Sequence, residues 1–178
     1  MIRKALLLKI FDAAYMQRWN DKVRPVDLVE LDKQGHKMII AYFLGKFEEE
    51  AEDFNWIRII EGGIFELLQR LVITDLKPPI FYRIRKDREK YRRLNEWVFR
   101  ETEPLLSPLG RDFTGRFREY LSETEEDLNR RVLSAAHFSA SAWEFRIIER
   151  MDPNGYEIAS IRRGIEERKQ RYANLKGM

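Results

Sequence analysis

Apolar residues recur at helical spacing along almost the whole chain, and strand-like alternation of apolar and polar residues never runs for any length. Leu6, Leu7, Ile10, Phe11 and Ala14 predict an amphipathic helix from Ile2 to about Arg18. Later helices are expected from about Leu28 or Asp32 to Glu49, Phe54 to Val72, Ile80 to Glu103 and around Arg111 to Leu121. Two more run from about Glu123 to Arg150 and from Tyr156 to about Asn174. There is no internal repeat and no low-complexity linker. At 178 residues the chain suits one domain. The expected architecture is all-α, a bundle of six or seven helices spanning 1–178.

Composition narrows the chemistry. Cysteine is absent, which excludes disulfides, thiolate metal sites and cysteine nucleophiles. The net charge of +3 is a weak argument for nucleic acid. The apolar run Ala5 to Ile10 is too short to span a membrane and lacks a small-residue cleavage site, so it reads as a first helix in a cytoplasmic protein. No Walker loop, dinucleotide fingerprint or zincin motif is present.

The stretch from Glu61 to Ile80 is the most unusual. Gly62 and Gly63 interrupt an apolar helical segment, each at about 1 kcal/mol relative to alanine. Such a pair implies close approach, either of another backbone or of a ligand. Glu66 follows one turn later on much the same face, Asp75 stands at the expected helix end, and Pro78-Pro79 halts the helix. These features describe a pocket wall or a tight helix crossing.

Other candidates lie outside it. Arg18-Trp19 in a polar turn is a plausible ligand grip, or a core tryptophan beside a surface charge. His36, Ile40, Phe43 and Phe47 share one helical face, which turns His36 towards the core. Val132, Ala136, Ser139 and Trp143 predict the buried side of the long helix, with Ser122 and Glu125 as its capping box. His137 is the second of two histidines, and Glu144 lies two turns on from it. Arg83 to Arg93 holds seven basic residues and two acids. It reads as a solvated face or as a rim for a substrate phosphate.

The order of these pieces resembles the HD-domain phosphohydrolases, in particular the YfbR-like 5′-deoxynucleotidases, over roughly residues 1 to 150. Arg18-Trp19 matches that group's Arg-Trp pair, and His36 its first metal-binding histidine. Glu66 matches the glutamate after the His-Asp dyad, and Asp75 with Pro78-Pro79 the aspartate and its loop. The helix Leu133 to Ala140 resembles the one that carries the last metal ligand. Two departures stand out: Gly62-Gly63 replaces the dyad, and His137 replaces the final aspartate.

The resemblance implies a single HD-like domain that cleaves nucleoside monophosphates using a divalent metal ion. His36 and His137 would hold the ion. Glu66 would orient a water or protonate the leaving oxygen, Arg18 would bind phosphate, and Trp19, Asp75 and Pro79 would shape the sugar site. The ligand would be a nucleotide or another small phosphorylated molecule, and a homodimer is compatible with it. The alternative is a catalytically inactive HD-fold pseudoenzyme that binds a nucleotide or a protein partner. A third class is a nucleic-acid-binding bundle using Arg83 to Arg93, which would bind with steep salt dependence.

Overall fold

The computed structural model describes residues 4–74, 76, 78–122 and 127–178. Among them are eight α-helices and no strand beyond a single bridged pair, as expected for an all-α chain. The helices are α1 (Lys4–Phe11), α2 (Glu30–Glu48), α3 (Trp56–Val72), α4 (Pro78–Lys86), α5 (Arg88–Leu106), α6 (Arg111–Ser122), α7 (Leu128–Met151) and α8 (Ile158–Lys169). No described helix is long and apolar enough to cross a membrane.

Several boundaries differ from expectation. The first helix ends at Phe11 and passes into a 3-10 turn at Asp12–Ala14. The helix expected over 80–103 is two, because Asp87 leaves helical geometry and caps α5, accepting from the Lys90 backbone N–H. That break adds the eighth helix. Pro78 begins α4, a first-turn position that needs no backbone N–H. The helix expected to end at Glu103 continues through Pro104 to Leu106. Ser122 ends α6, and α7 takes its cap from Asp127, which accepts from the Arg130 N–H. Glu125 of the expected capping box lies outside the described residues.

The chain divides into two compact units. The first draws on 1–13 and 64–125, around Leu6, Phe65, Leu68, Val98, Leu106 and Phe117. Phe65 sits 5.2 Å from the Phe117 ring and 5.3 Å from that of Phe113. Asn95 is buried yet satisfied: it accepts from Gln69 at 2.7 Å and donates to the Leu121 carbonyl at 2.8 Å.

The second unit draws on 14–63 and 126–178, and its main packing is α2 against α7. Ala41, Leu44, Val132, Leu133, Ala135 and Ala136 are buried there. Small residues on α7 let the two helices approach closely. Leu28, Phe145, Ile148 and Ile158 form a second apolar cluster. Asn129 ties the start of α3 to α7, donating to the Asp53 carbonyl and accepting from the Asn55 N–H. Glu48 is buried and accepts from the Lys176 N–H at 2.7 Å.

The orientation of α2 is the main correction. The expected inward face of His36, Ile40, Phe43 and Phe47 is not the buried one. His36 is exposed and meets Trp143 edge-on at 4.9 Å, while Phe43 and Phe47 are 60% and 58% exposed. The buried side carries Glu30, Lys33, Lys37, Ala41, Leu44 and Glu48. On α7, Trp143 is likewise half exposed and Glu144 is buried. The charged residues turn inward because, as the next subsection describes, they find partners there. Gly35 lies mid-helix in α2, a placement that costs about 1 kcal/mol relative to alanine.

Candidate functional site

The polar centre of the second unit starts with a loop. Residues 16–30 fold back on themselves: the Arg18 N–H donates to the Leu28 carbonyl at 2.7 Å and the Glu30 N–H to the Met16 carbonyl at 3.0 Å. This pairing sets Arg18 beside the first turn of α2. Trp19 then adopts a left-handed backbone, φ 54°, which costs a bulky residue roughly 1–3 kcal/mol. The conformation is held from both sides. The Trp19 indole N–H donates to Glu144 at 2.8 Å, and the ring lies 6.1 Å from that of Phe145.

Glu144 is the hub. Arg18 Nε donates to both of its carboxylate oxygens at 3.0 Å, and Nη2 reaches Oε2 at 2.9 Å. Arg18 Nη1 donates to Glu30 at 2.6 Å. Burial lowers the Arg18 pKa, and the pull of Glu30 and Glu144 more than restores it, so the net shift is upward. Lys33 extends the chain: its ammonium lies 3.6 Å from Glu30 and 2.9 Å from Nδ1 of His137. The other ring nitrogen of His137, Nε2, lies 3.2 Å from the same ammonium, and the tautomer decides which nitrogen accepts. Lys37, one turn on from Lys33 and 1% exposed, has its amine 3.5 Å from the Gly63 carbonyl.

Gly63 answers the question that the double glycine raised. Its carbonyl accepts from Gln34 at 2.8 Å, and a Cβ at this position would run into the thioether of Met38. Gly62 is buried as well. The missing side chain leaves no hole at Gly63, because the Met38 side chain fills the space.

The sequence candidates therefore separate. Arg18 and Trp19 come together on Glu144. His137 joins the same network through Lys33 and is otherwise exposed, as is His36 against Trp143. Glu66 is half-buried in the first unit and accepts from the Tyr120 hydroxyl at 3.0 Å. Asp75 lies outside the described residues, as does the side chain of Pro79. Glu30, Lys33 and Lys37 escaped the reading of the sequence, although their spacing at i, i+3 and i+7 marks a second helical stripe beside the aromatic one.

As a holder for a divalent ion the described residues fit poorly. No three His, Asp or Glu side chains among them gather into a metal-holding group. The carboxylates of Glu30 and Glu144 already face side-chain cations, and an ammonium stands where His137 would need an ion.

The basic segment belongs to the first unit, and three of its basic residues pair with nearby acids. Arg92 pairs with Glu89 and Glu96, Arg93 with Glu89, and Lys90 with Asp87. Hydrogen bonds from Arg92 and Arg93 hold the Glu89 carboxyl at about 2, below its ordinary 4.5. The solvated-face reading accounts for these contacts without a phosphate.

No protein-family model matches the chain, and no curated protein matches it either.

Proposed function

We propose that the chain is an HD-like helical module that works by binding and does not hydrolyse. The observation that carries this reading is the commitment of Arg18 and Trp19 to Glu144. The planar fork that would grip a substrate phosphate is taken up by a carboxylate of the same chain. Arg18 pairs with both Glu30 and Glu144, and Lys33 lies beside Glu30, so the two carboxylates face cations of their own chain. Such a network orients α2, the 16–30 loop and α7 against one another and leaves recognition to the outer surface. The partner class that fits is a protein; a nucleotide is the competing class.

The test is phosphate release from deoxynucleoside and ribonucleoside monophosphates, with manganese, cobalt, magnesium or zinc added to metal-free protein. Thermal unfolding is followed with the same ligands. The expected result is no release and no ligand-dependent rise in Tm. Metal-dependent release that Glu66→Gln abolishes would overturn this reading. It would favour the nucleotidase implied by the family resemblance, with Glu66 handling the water. A rise in Tm without release would keep the module non-hydrolytic but make its ligand a nucleotide.

A further inference from the structure

The stretch that follows α8 is held differently from the rest of the second unit. After a 3-10 turn at Gln170–Tyr172 it runs across α2 and α7 with little of its own bulk buried. Of residues 170–178 only Leu175 is buried, in the cluster of Ala41, Leu44, Val132 and Ala136. Tyr172 is half-buried, with its ring 5.5 Å from that of Phe138. Gly177 has a left-handed backbone, φ 83°, and a Cβ there would run into the ring of Phe47.

Glu48 makes this seat unusual. It is the last residue of α2, where the helix dipole disfavours negative charge, and it is 6% exposed. A carboxylate so placed is costly unless it is hydrogen-bonded. Its side chain has one hydrogen-bond partner among the described residues, the Lys176 backbone N–H at 2.7 Å. A backbone N–H is a group that any peptide offers. The seat therefore engages main chain through Glu48 and an apolar side chain through the cluster around Leu175. Those are the two elements of peptide recognition.

We propose that residues 170–178 form a displaceable strap, and that the seat beneath it on α2 and α7 binds a peptide segment of a protein partner. The segment would carry the strap's own pattern: an aromatic residue, a leucine three positions on and a glycine two after that, as in Tyr172, Leu175 and Gly177. The strap is fastened by one buried side chain, one half-buried ring and one hydrogen bond to Glu48, so it can open without unfolding the helices. Opening leaves the Glu48 carboxylate without its donor, which favours capture of another N–H. This names a site for the protein partner proposed above and rests on that reading for its partner class. The opening of the strap would be the same in a hydrolase.

Hydrogen exchange on the full wild-type chain tests the opening. The Lys176 amide and its neighbours in 171–178 are expected to exchange about tenfold or more faster than amides in the middle of α2 and α7. Exchange at the same rate as those helices would overturn the proposal, since the strap would then open only with the whole unit. Binding is tested by fluorescence anisotropy with a labelled synthetic peptide that has the sequence of residues 170–178. Leu175→Asp detaches the strap, and Gly177→Ala loosens it without touching the buried cluster, because Gly177 is exposed. Both full-chain variants are expected to bind the peptide. The wild type should bind it about tenfold or more weakly than they do, because its own strap competes at high effective concentration. The same peptide carrying Leu175→Asp should bind none of the three. No binding by a Gly177→Ala chain that keeps the wild-type circular dichroism would overturn the proposal, and so would equal binding of the two peptides. Phosphate release decides the non-hydrolytic reading and moves neither readout, so the two can fail separately.

Discussion

Two charge networks, one in each unit, are built from the same residue types and differ in everything else. In the second unit, Arg18, Glu30, Lys33 and Glu144 are nearly removed from water, and their partners come from the 16–30 loop, α2 and α7. In the first, Glu89, Arg92, Arg93 and Glu96 lie on one exposed face of α5, all within one or two turns. Water screens the α5 pairs, and each long side chain has cheap alternatives. The buried set has none. Desolvation makes it costly to assemble and more costly to leave incomplete. An ion pair's distance therefore says little about its worth, and burial and the origin of its partners decide.

The largest break in this contrast should come from Glu144→Ala. It leaves the Arg18 Nε and the Trp19 indole N–H without their acceptor, with Glu30 the one carboxylate still facing Arg18, and should cost about 3 kcal/mol. A drop in Tm on the order of 10 °C by calorimetry would register it. A loss as small as that of a surface substitution would mean that the network is wetter than its geometry indicates. Next in size is the coupling within the pair. Arg18→Met with Glu144→Gln removes both charges while keeping an acceptor for Trp19. Urea titrations should show the double variant losing less than the sum of its singles, by roughly 1–3 kcal/mol.

The smaller predictions concern α5. Arg92→Ala should leave Tm within experimental scatter, and raising sodium chloride from about 0.05 to 0.5 M should erase any residual difference. The penalty at Glu144 should persist across the same salt range. Smallest is the pH effect. Glu89 is held at about 2 against an ordinary 4.5, so its contribution is complete above 4.5 and lost as pH falls through 2. Difference melts of Glu89→Gln against wild type should converge below pH 2. A difference that grows on acidification would reverse the sign and remove the assigned pairing.

How much of this was legible in the sequence depends on how far apart the interacting residues lie. The helices were plain because their signal, apolar spacing above all, is local. The face of α2 was misread for an instructive reason. Aromatics at Phe43 and Phe47 form the stronger apolar stripe, and lysines are by habit placed in water. Lys33 turns inward because it has His137 and Glu30 to meet, and His137 is 104 residues away. Arg18 and Glu144 are separated by 126. No periodicity joins such positions. Gly63 was half legible: close approach followed from the missing side chain, but that Met38 would be the group approaching required the packing.

The second unit is interrupted in sequence, with the residues that complete it arriving only after position 126. For a chain emerging from a ribosome, that imposes a waiting time. At about 5–20 residues per second, α2 exists for several seconds before α7 can follow. Throughout that interval Lys33 lacks His137, its partner on α7, while Ile39, Tyr42 and Phe43 already face outward. The apolar outward side of α2 is thus exposed before the charge network that fixes its helix in place can form. A newly made α2 can meet a chaperone before it meets its own long-range partner.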